Sequence, residues 1–505
     1  MKHYVYSAEG RYALCAPLHR SFTDLSVSVP HYGTAWGKEF TVASPPPDLA
    51  DVAELLDVPV LPGGKIIAIS DLHLPPERTT VSGRCCEVIA RRLDAETAPL
   101  TVVLAGDIVE MLAFPGATAA DILEAHNELC MALAGVIERG GQVIYTVGNH
   151  DGDLAWDLKA ADAVREATGA RLCLAADLRL PGDERIRVEH GHQIDPYNCF
   201  HDPRNPLDTP LGHHIVREVI PKIEWLGSDW LTGAHEMADP ADFPSFVASR
   251  LVYRKLARHL WWLVLVPILL FALVLPEVGR VKTKYPDTAT WLHDVEILGY
   301  GAVVDIAIIA LILAIVSRRA WTSISALALA GRGYSQNNAA RQRADDLIAD
   351  GYTGYLSGHT HHPELHVHGD GFYANAGSCT SVVEAIDTLR GMPPVYLRTQ
   401  QLSWLEITPD GDRPCRATLQ SARVELPGAT HFERFMARAR NPHSQAPCSV
   451  AAWPQGPDWP ADPKHLRDRR HLHAHLRRHH ESKDQEPGCA AGCATDCATD
   501  GEKAS

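Results

Sequence analysis

The chain has no Cys-x-x-Cys pair, although it holds 12 cysteines among 505 residues. It has no excess of basic charge either: 47 Lys and Arg stand against 62 Asp and Glu, a net −15 that argues against nucleic acid as the main partner. The first residues, Met1-Lys2-His3-Tyr4-Val5-Tyr6-Ser7, lack the apolar core of a secretory signal. Together these absences point to reduced thiols and a cytosolic catalytic part. What the chain does have is histidine, 27 in all, divided between singles beside apparent strand ends and a cluster in the tail.

Residues 1–60 alternate short apolar runs with Pro and Gly and read as an N-terminal extension, with Ser44-Pro45-Pro46-Pro47-Asp48 as a connector. From Lys65 the pattern becomes regular. Strand-like runs at 66–70, 101–105, 142–147 and 186–189 alternate with helix-like stretches at 85–95 and 119–139, which means an α/β layer architecture over residues 61–426. An insertion at about 194–352 interrupts it. That insertion holds two apolar segments, 260–276 without a charge and 297–316 with only Asp305 charged. A spanning helix needs roughly 20 apolar residues, so the pair reads as a transmembrane hairpin. Arg250, Arg254, Lys255 and Arg258 before it, and Arg318, Arg319 and Arg332 after it, place both outer ends on the cytoplasmic side of a multi-pass cell-membrane protein. Strand patterns resume at 354–357 and continue to about 426. Beyond, residues 427–505 are rich in Pro, Ala, Arg, His and Cys, a composition that reads as a disordered tail.

Chemistry-bearing residues gather at the strand ends. Ile66-Ile67-Ala68-Ile69 delivers Asp71 and His73 two residues apart, and in extended chain such residues point the same way. The device recurs as Gly106-Asp107-Ile108-Val109-Glu110, Gly148-Asn149-His150-Asp151, His190-Gly191-His192 and Gly358-His359-Thr360-His361. The donors are oxygen and imidazole with no thiolate, a set suited to Mn²⁺, Fe or Zn²⁺. The glycines let the backbone turn sharply off each strand.

In this order the five clusters resemble the signature of the calcineurin-like metallophosphoesterase superfamily over residues 66 to about 380. The resemblance implies a four-layer αββα sandwich with two divalent metal ions. By position, it implies that Asp71, His73 and His361 bind one metal, that Asn149, His190 and His359 bind the other, and that Asp107 bridges them. His192 competes with His190 for its role. His150 is then the histidine that contacts phosphate and protonates the leaving oxygen, with Glu110 placed to orient it, and Asn375-Ala376-Gly377-Ser378 is framework for the ligand loop. Two cations sharing a carboxylate clamp a phosphate's oxygens and lower the pKa of the attacking water between them.

The expected activity is hydrolysis of a phosphoester or pyrophosphate bond by a metal-bridging hydroxide at the membrane, on a phosphorylated small molecule or lipid and not on nucleic acid, with Mn²⁺ the favoured metal. The Gly106–Glu110 cluster and the helical insertion also resemble UDP-diacylglucosamine hydrolase, although His192 stands where that enzyme has Asp and the insertion is longer. Arg204, His213, His214 and Arg217 are its candidate head-group residues. The alternatives are a phosphodiesterase or protein phosphatase for soluble substrates, or a catalytically silent metal-bound scaffold.

Overall fold

Apolar runs at the start of the α/β region become short buried strands: β2 (Lys65–Ile69), β3 (Leu100–Leu104) and β4 (Gln142–Thr146), paired in parallel. They follow β1 (Ala53–Pro59), which pairs in parallel with β5 (Arg171–Arg179). The computed structural model describes residues 50–256 and 336–454, apart from short gaps at 183, 227–229, 238–242, 387, 389–392, 411–412 and 438–443, together with scattered helical positions between 269 and 319.

Side chains on a strand alternate between faces, and here both faces are apolar. Ile67, Ile69, Val102 and Leu104 pack with residues of α1 (Thr80–Asp94), α2 (Ala119–Ala125), α3 (Asn127–Glu138) and α4 (Leu158–Thr168). Ile66, Ala68, Val103 and Ala105 instead meet an inner core shared with β6 (Arg185–Glu189), β7 (Gly354–Ser357), β8 (Glu364–His368) and β9 (Gly371–Asn375). On the far side of β7 and β9, Tyr355 and Tyr373 pack under α8 (Gln336–Ala349). The order is therefore helices, strands, strands, helix. α5 (Leu211–His214), α6 (Ile220–Leu226) and α7 (Phe243–Arg250) lie between β6 and the 257–335 stretch.

With β10 (Ser381–Ile386) attached to β11 (Val395–Asp410), and with β12 (Arg413–Glu425) and β13 (Ser444–Trp453) beyond, a single hydrogen-bonded network joins the strands in the order β13-β12-β11-β2-β3-β4-β5-β6-β7-β9-β8. The helical pattern at 119–139 is not continuous. His126 interrupts it at φ −122°, where its ring bonds Ile122 O at 2.8 Å and Ser82 Oγ at 2.9 Å and ties the break to α1.

Two expectations need correction. Among the described residues no helix is long and apolar enough to cross a membrane, which overturns the inserted hairpin and the multi-pass membrane location drawn from it. Thirteen of residues 260–276 and nine of residues 297–316 lie outside the described residues. The physical reason is that hydropathy and length are only necessary for a span; neither makes a continuous helix. The second correction concerns the C-terminal side. Past residue 427 the chain still forms α9 (His431–Ala437) and β13 (Ser444–Trp453), and β13 pairs antiparallel with β12 (Arg413–Glu425). Trp453 is 3% exposed and packs against Phe372 in the inner core, ring centroids 5.0 Å apart.

α9 also closes a charged clamp. Glu433 is fully buried and accepts from Arg250 Nη1 at 2.6 Å and from Arg254 Nε at 2.9 Å. Removing one member of a buried pair leaves an uncompensated charge, so Glu433→Ala is expected to cost roughly 3–5 kcal/mol. Urea unfolding measures it, and a cost below about 1 kcal/mol, the surface-pair range, would show that water reaches the guanidinium groups.

Candidate active site

All five clusters come together at the carboxyl ends of β2, β3, β4, β6 and β7, where sites form in sheets of parallel strands. The loops interlock through the backbone. Asp71 N donates to Gly106 O, His73 N to Asp107 O, and Gly358 N to His190 O, at 2.7–3.1 Å. Among the described residues, the non-glycine residues with positive φ are Asp71, His73, Asp107, His359 and His361, at +44° to +71°. Left-handed backbone costs such residues roughly 1–2 kcal/mol each, and strain of this kind collects at functional sites.

In Asp71 and His190 one polar atom is anchored and the other has no hydrogen-bond partner. Asp71 Oδ2 accepts from Ser70 Oγ at 2.5 Å and from His359 N at 2.9 Å, while its buried Oδ1 has no hydrogen-bond partner. Asp107 Oδ1 accepts from His150 N at 2.8 Å, and Oδ2 lies 3.1 Å from His190 Nε2. The His190 ring bonds Ala105 O through Nδ1 at 2.7 Å, leaving Nε2 without a hydrogen bond. The His73 ring bonds Glu110 Oε2 through Nδ1 at 2.6 Å, and the His359 ring bonds Asp195 Oδ2 through Nε2 at 2.9 Å. Asn149 Oδ1 is buried and unbonded.

The candidate donor atoms form three overlapping groups. His361 Nε2 stands 3.2 Å from Asp71 Oδ1 and 3.0 Å from His73 Nε2. Donor atoms of Asp107, His190 and His359 lie within 4.8 Å of one another, and so do those of His73, Asp107 and His150. Buried Asp71 Oδ1 and His190 Nε2, left without hydrogen bonds among converging donors, fit divalent cations, because a buried polar group left unpaired is otherwise costly.

Electrostatics follow from the same contacts. Burial works to raise the pKa of Asp71, but the His361 hydrogen bond and charge outweigh it and hold the group well below the usual carboxylate range. Burial works to lower that of His190, but the Asp107 charge lifts it to about 9. A cation bound at His190 would therefore have to displace a proton. His150 is likewise raised, burial being outweighed by the charges of Glu110 and Asp107. Its Nδ1 lies 2.8 Å from Glu110 Oε2, so Glu110 holds both His150 and His73. Asp151, at the end of the third cluster, accepts from Tyr145 Oη, Gly148 N and Ile108 N at 2.6–2.9 Å; burial and the nearby Asp107 charge push it up to about 6.

Three motif glycines make room for ligands of other clusters. A Cβ on Gly106 would collide with the His190 ring, one on Gly148 with the Asp107 carboxylate, and one on Gly358 with Ser70 Oγ and the Asp71 carboxylate. Gly358→Ala is therefore expected to displace Asp71 and weaken metal affinity by at least the 10- to 100-fold typical when the supports of a ligand are lost. Metal titration of the folded variant checks this, and unchanged affinity would mean that the loop yields without moving the carboxylate.

Some supporting residues carry no sequence signal. Asp195, which holds His359, is 164 positions away from it. Thr360, between the two ligands of its loop, donates to Asn337 Oδ1 at 2.7 Å and accepts from Asn375 Nδ2 at 3.1 Å, so α8 grips the loop. The Asn375–Ser378 framework turns on Gln401, whose Oε1 takes both Ser378 N and Oγ. His192 is 5% exposed, its ring 5.5 Å from that of His190, and it belongs to neither group of converging donors. Of the head-group candidates, His213 bonds Asn149 O at 3.0 Å and Arg217 Nε donates to Leu112 O at 3.3 Å, beside His150. Arg204 is tied to Val52 O and His214 faces Glu218, both away from the cluster's ligands.

A strand-end cluster of this make-up, on this layered α/β frame, defines a metal-dependent hydrolase acting on phosphoester bonds. Residues 64–247 match the family model described as calcineurin-like phosphoesterase. Among solved structures it is similar to a conserved uncharacterized protein from Streptococcus pneumoniae TIGR4, a predicted phosphoesterase: 9% identity, covering 76% of this chain and 96% of that one, TM-score 0.23. It is similar also to an archaeal phosphodiesterase at 9% identity, covering 72% of this chain and 99% of that one, TM-score 0.26. The zinc complex of Vps29 from Entamoeba histolytica is 11% identical, covering 72% and 98%, TM-score 0.24. Likeness at these scores adds nothing to the family match. No curated protein matches the chain, and nothing found supports the narrower resemblance to UDP-diacylglucosamine hydrolase.

Proposed function

We propose that the chain hydrolyses the phosphoester of a phosphorylated small molecule with a pair of divalent cations, Mn²⁺ the first choice. Asp71, His73 and His361 hold one cation, Asn149, His190 and His359 the other, and Asp107 is shared. The observation that carries this reading is that Asp71 and His190, both members of converging donor groups, each have one polar atom fixed by the protein and the other buried without a hydrogen-bond partner. When bound, such a pair neutralises phosphate oxygens and makes water a nucleophile at neutral pH. The chain's own residues do the rest. His190 is preferred to His192 because its Nε2 faces Asp107 Oδ2. Glu110 fixes the His150 ring through Nδ1 and leaves Nε2 to contact a phosphate oxygen and hand a proton to the leaving alkoxide.

The test is hydrolysis of a chromogenic phosphodiester by protein stripped of metal and then given Mn²⁺. Activity that vanishes with the metal and returns with it, at about two ions per chain, supports the proposal. Two bound ions with no turnover of any phosphoester would turn the reading toward a silent scaffold.

A further inference from the structure

A cavity of about 170 Å³ opens beside the Asn149, His190 and His359 side of the site, walled by Val147, Gly148, Leu174, Ala175, His192 and Phe200. It is tied to that side by a chain of rings. His192 stands 5.5 Å from His190 and meets Phe200 edge-on at 5.4 Å; Phe200 meets His213 at 5.2 Å; and His213 bonds Asn149 O. Space exists there because small residues line it, and a Cβ on Gly152 would already press on the Phe200 ring at 3.0 Å.

The buried side-chain polar atoms of its wall have partners, save one. Glu189 is engaged by Arg187, Arg343 and Tyr355, Gln193 Oε1 accepts from Gly191 N, and the Cys199 thiol donates to Phe200 O. The exception is His192, 95% buried by its 5% exposure, whose Nδ1 has no hydrogen-bond partner. A buried ring nitrogen without a partner is costly, and the remainder of the wall is apolar.

Resting on the phosphoesterase reading above, we infer that this cavity receives the alcohol side of the substrate: an uncharged, ring-sized group that carries one hydrogen-bonding atom for His192. The volume suits a single ring, since a cavity of about 150 Å³ takes up benzene. With no unpaired charge in the wall, a charged leaving group is disfavoured there.

The experiment compares benzylphosphonate with methylphosphonate, neither of which can be hydrolysed, by titration calorimetry into the full-length, Mn²⁺-loaded protein. The ring is expected to give at least about a tenfold gain in affinity. In Ala175→Leu, which fills the cavity from β5, the ratio of the two affinities should collapse toward one. Should that variant fail to fold by circular dichroism, Cys199→Phe fills the same space from a half-buried loop. Equal affinities in the wild type, or a ratio that survives filling, overturn the inference. Failure of both phosphonates to bind metal-loaded protein sinks instead the phosphoesterase reading on which it rests.

Discussion

Asp107→Ala is expected to lose both metal ions at once, with activity falling to background. Asp107 follows β3 and belongs to two of the donor groups, one oxygen fixed by His150 N and the other 3.1 Å from His190 Nε2 and 3.9 Å from His73 Nε2. No other carboxylate among the described residues faces both. A residue that merely supports a ligand costs 10- to 100-fold in affinity, so the loss here should exceed about 100-fold for each ion. Metal analysis of the folded variant after dialysis decides the matter. Retention of one tightly held ion would mean that the two positions do not share this carboxylate, and the pairing proposed above would have to be redrawn.

His150→Ala is expected to keep both metals and lose roughly 10²- to 10⁴-fold in kcat, the range of general acid catalysis. The distinction rests on the Glu110 carboxylate, which holds His150 Nδ1 and leaves only the other nitrogen for substrate. The donors of His73, Asp107 and His150 nevertheless lie within 4.8 Å, so the structure also offers His150 as a ligand. The variant separates these roles. A rate loss without metal loss makes it the proton donor, whereas a fall in metal content equal to that in Asp107→Ala makes it a ligand. A leaving group of low pKa, such as p-nitrophenol, needs little protonation, so it should recover part of the lost rate only in the first case.

The strands that build the site were legible because their signals are local. Residues 66–69 are apolar throughout and Leu100–Leu104 nearly so, and each run is followed within three residues by an Asp of the site. The reason for the glycines was legible only in part. Turning off the strand is a local need, but the room that Gly358 leaves for Asp71, 287 positions earlier, is a tertiary one. Asp195, Thr360 and Asn337 were invisible for the same reason: each acts through a partner from a different segment. The tail misled because Ser444–Trp453 contains Pro447 and few strong strand formers. Proline is tolerated on an edge strand, and β13 is the outermost of its sheet, stabilised by pairing with β12 and by the burial of Trp453.

That last strand bears on how the protein can be produced. A chain cut at residue 426, where composition suggests the folded part ends, would strip β12 of its neighbour along residues 417–423 and uncover Phe372. An open row of backbone donors and acceptors beside apolar side chains is a template for pairing with another chain. Shortened forms ending there should collect in inclusion bodies or as soluble aggregates, while forms that run past Pro454 keep the edge covered, so the useful stop lies some thirty residues beyond the point where the composition changes.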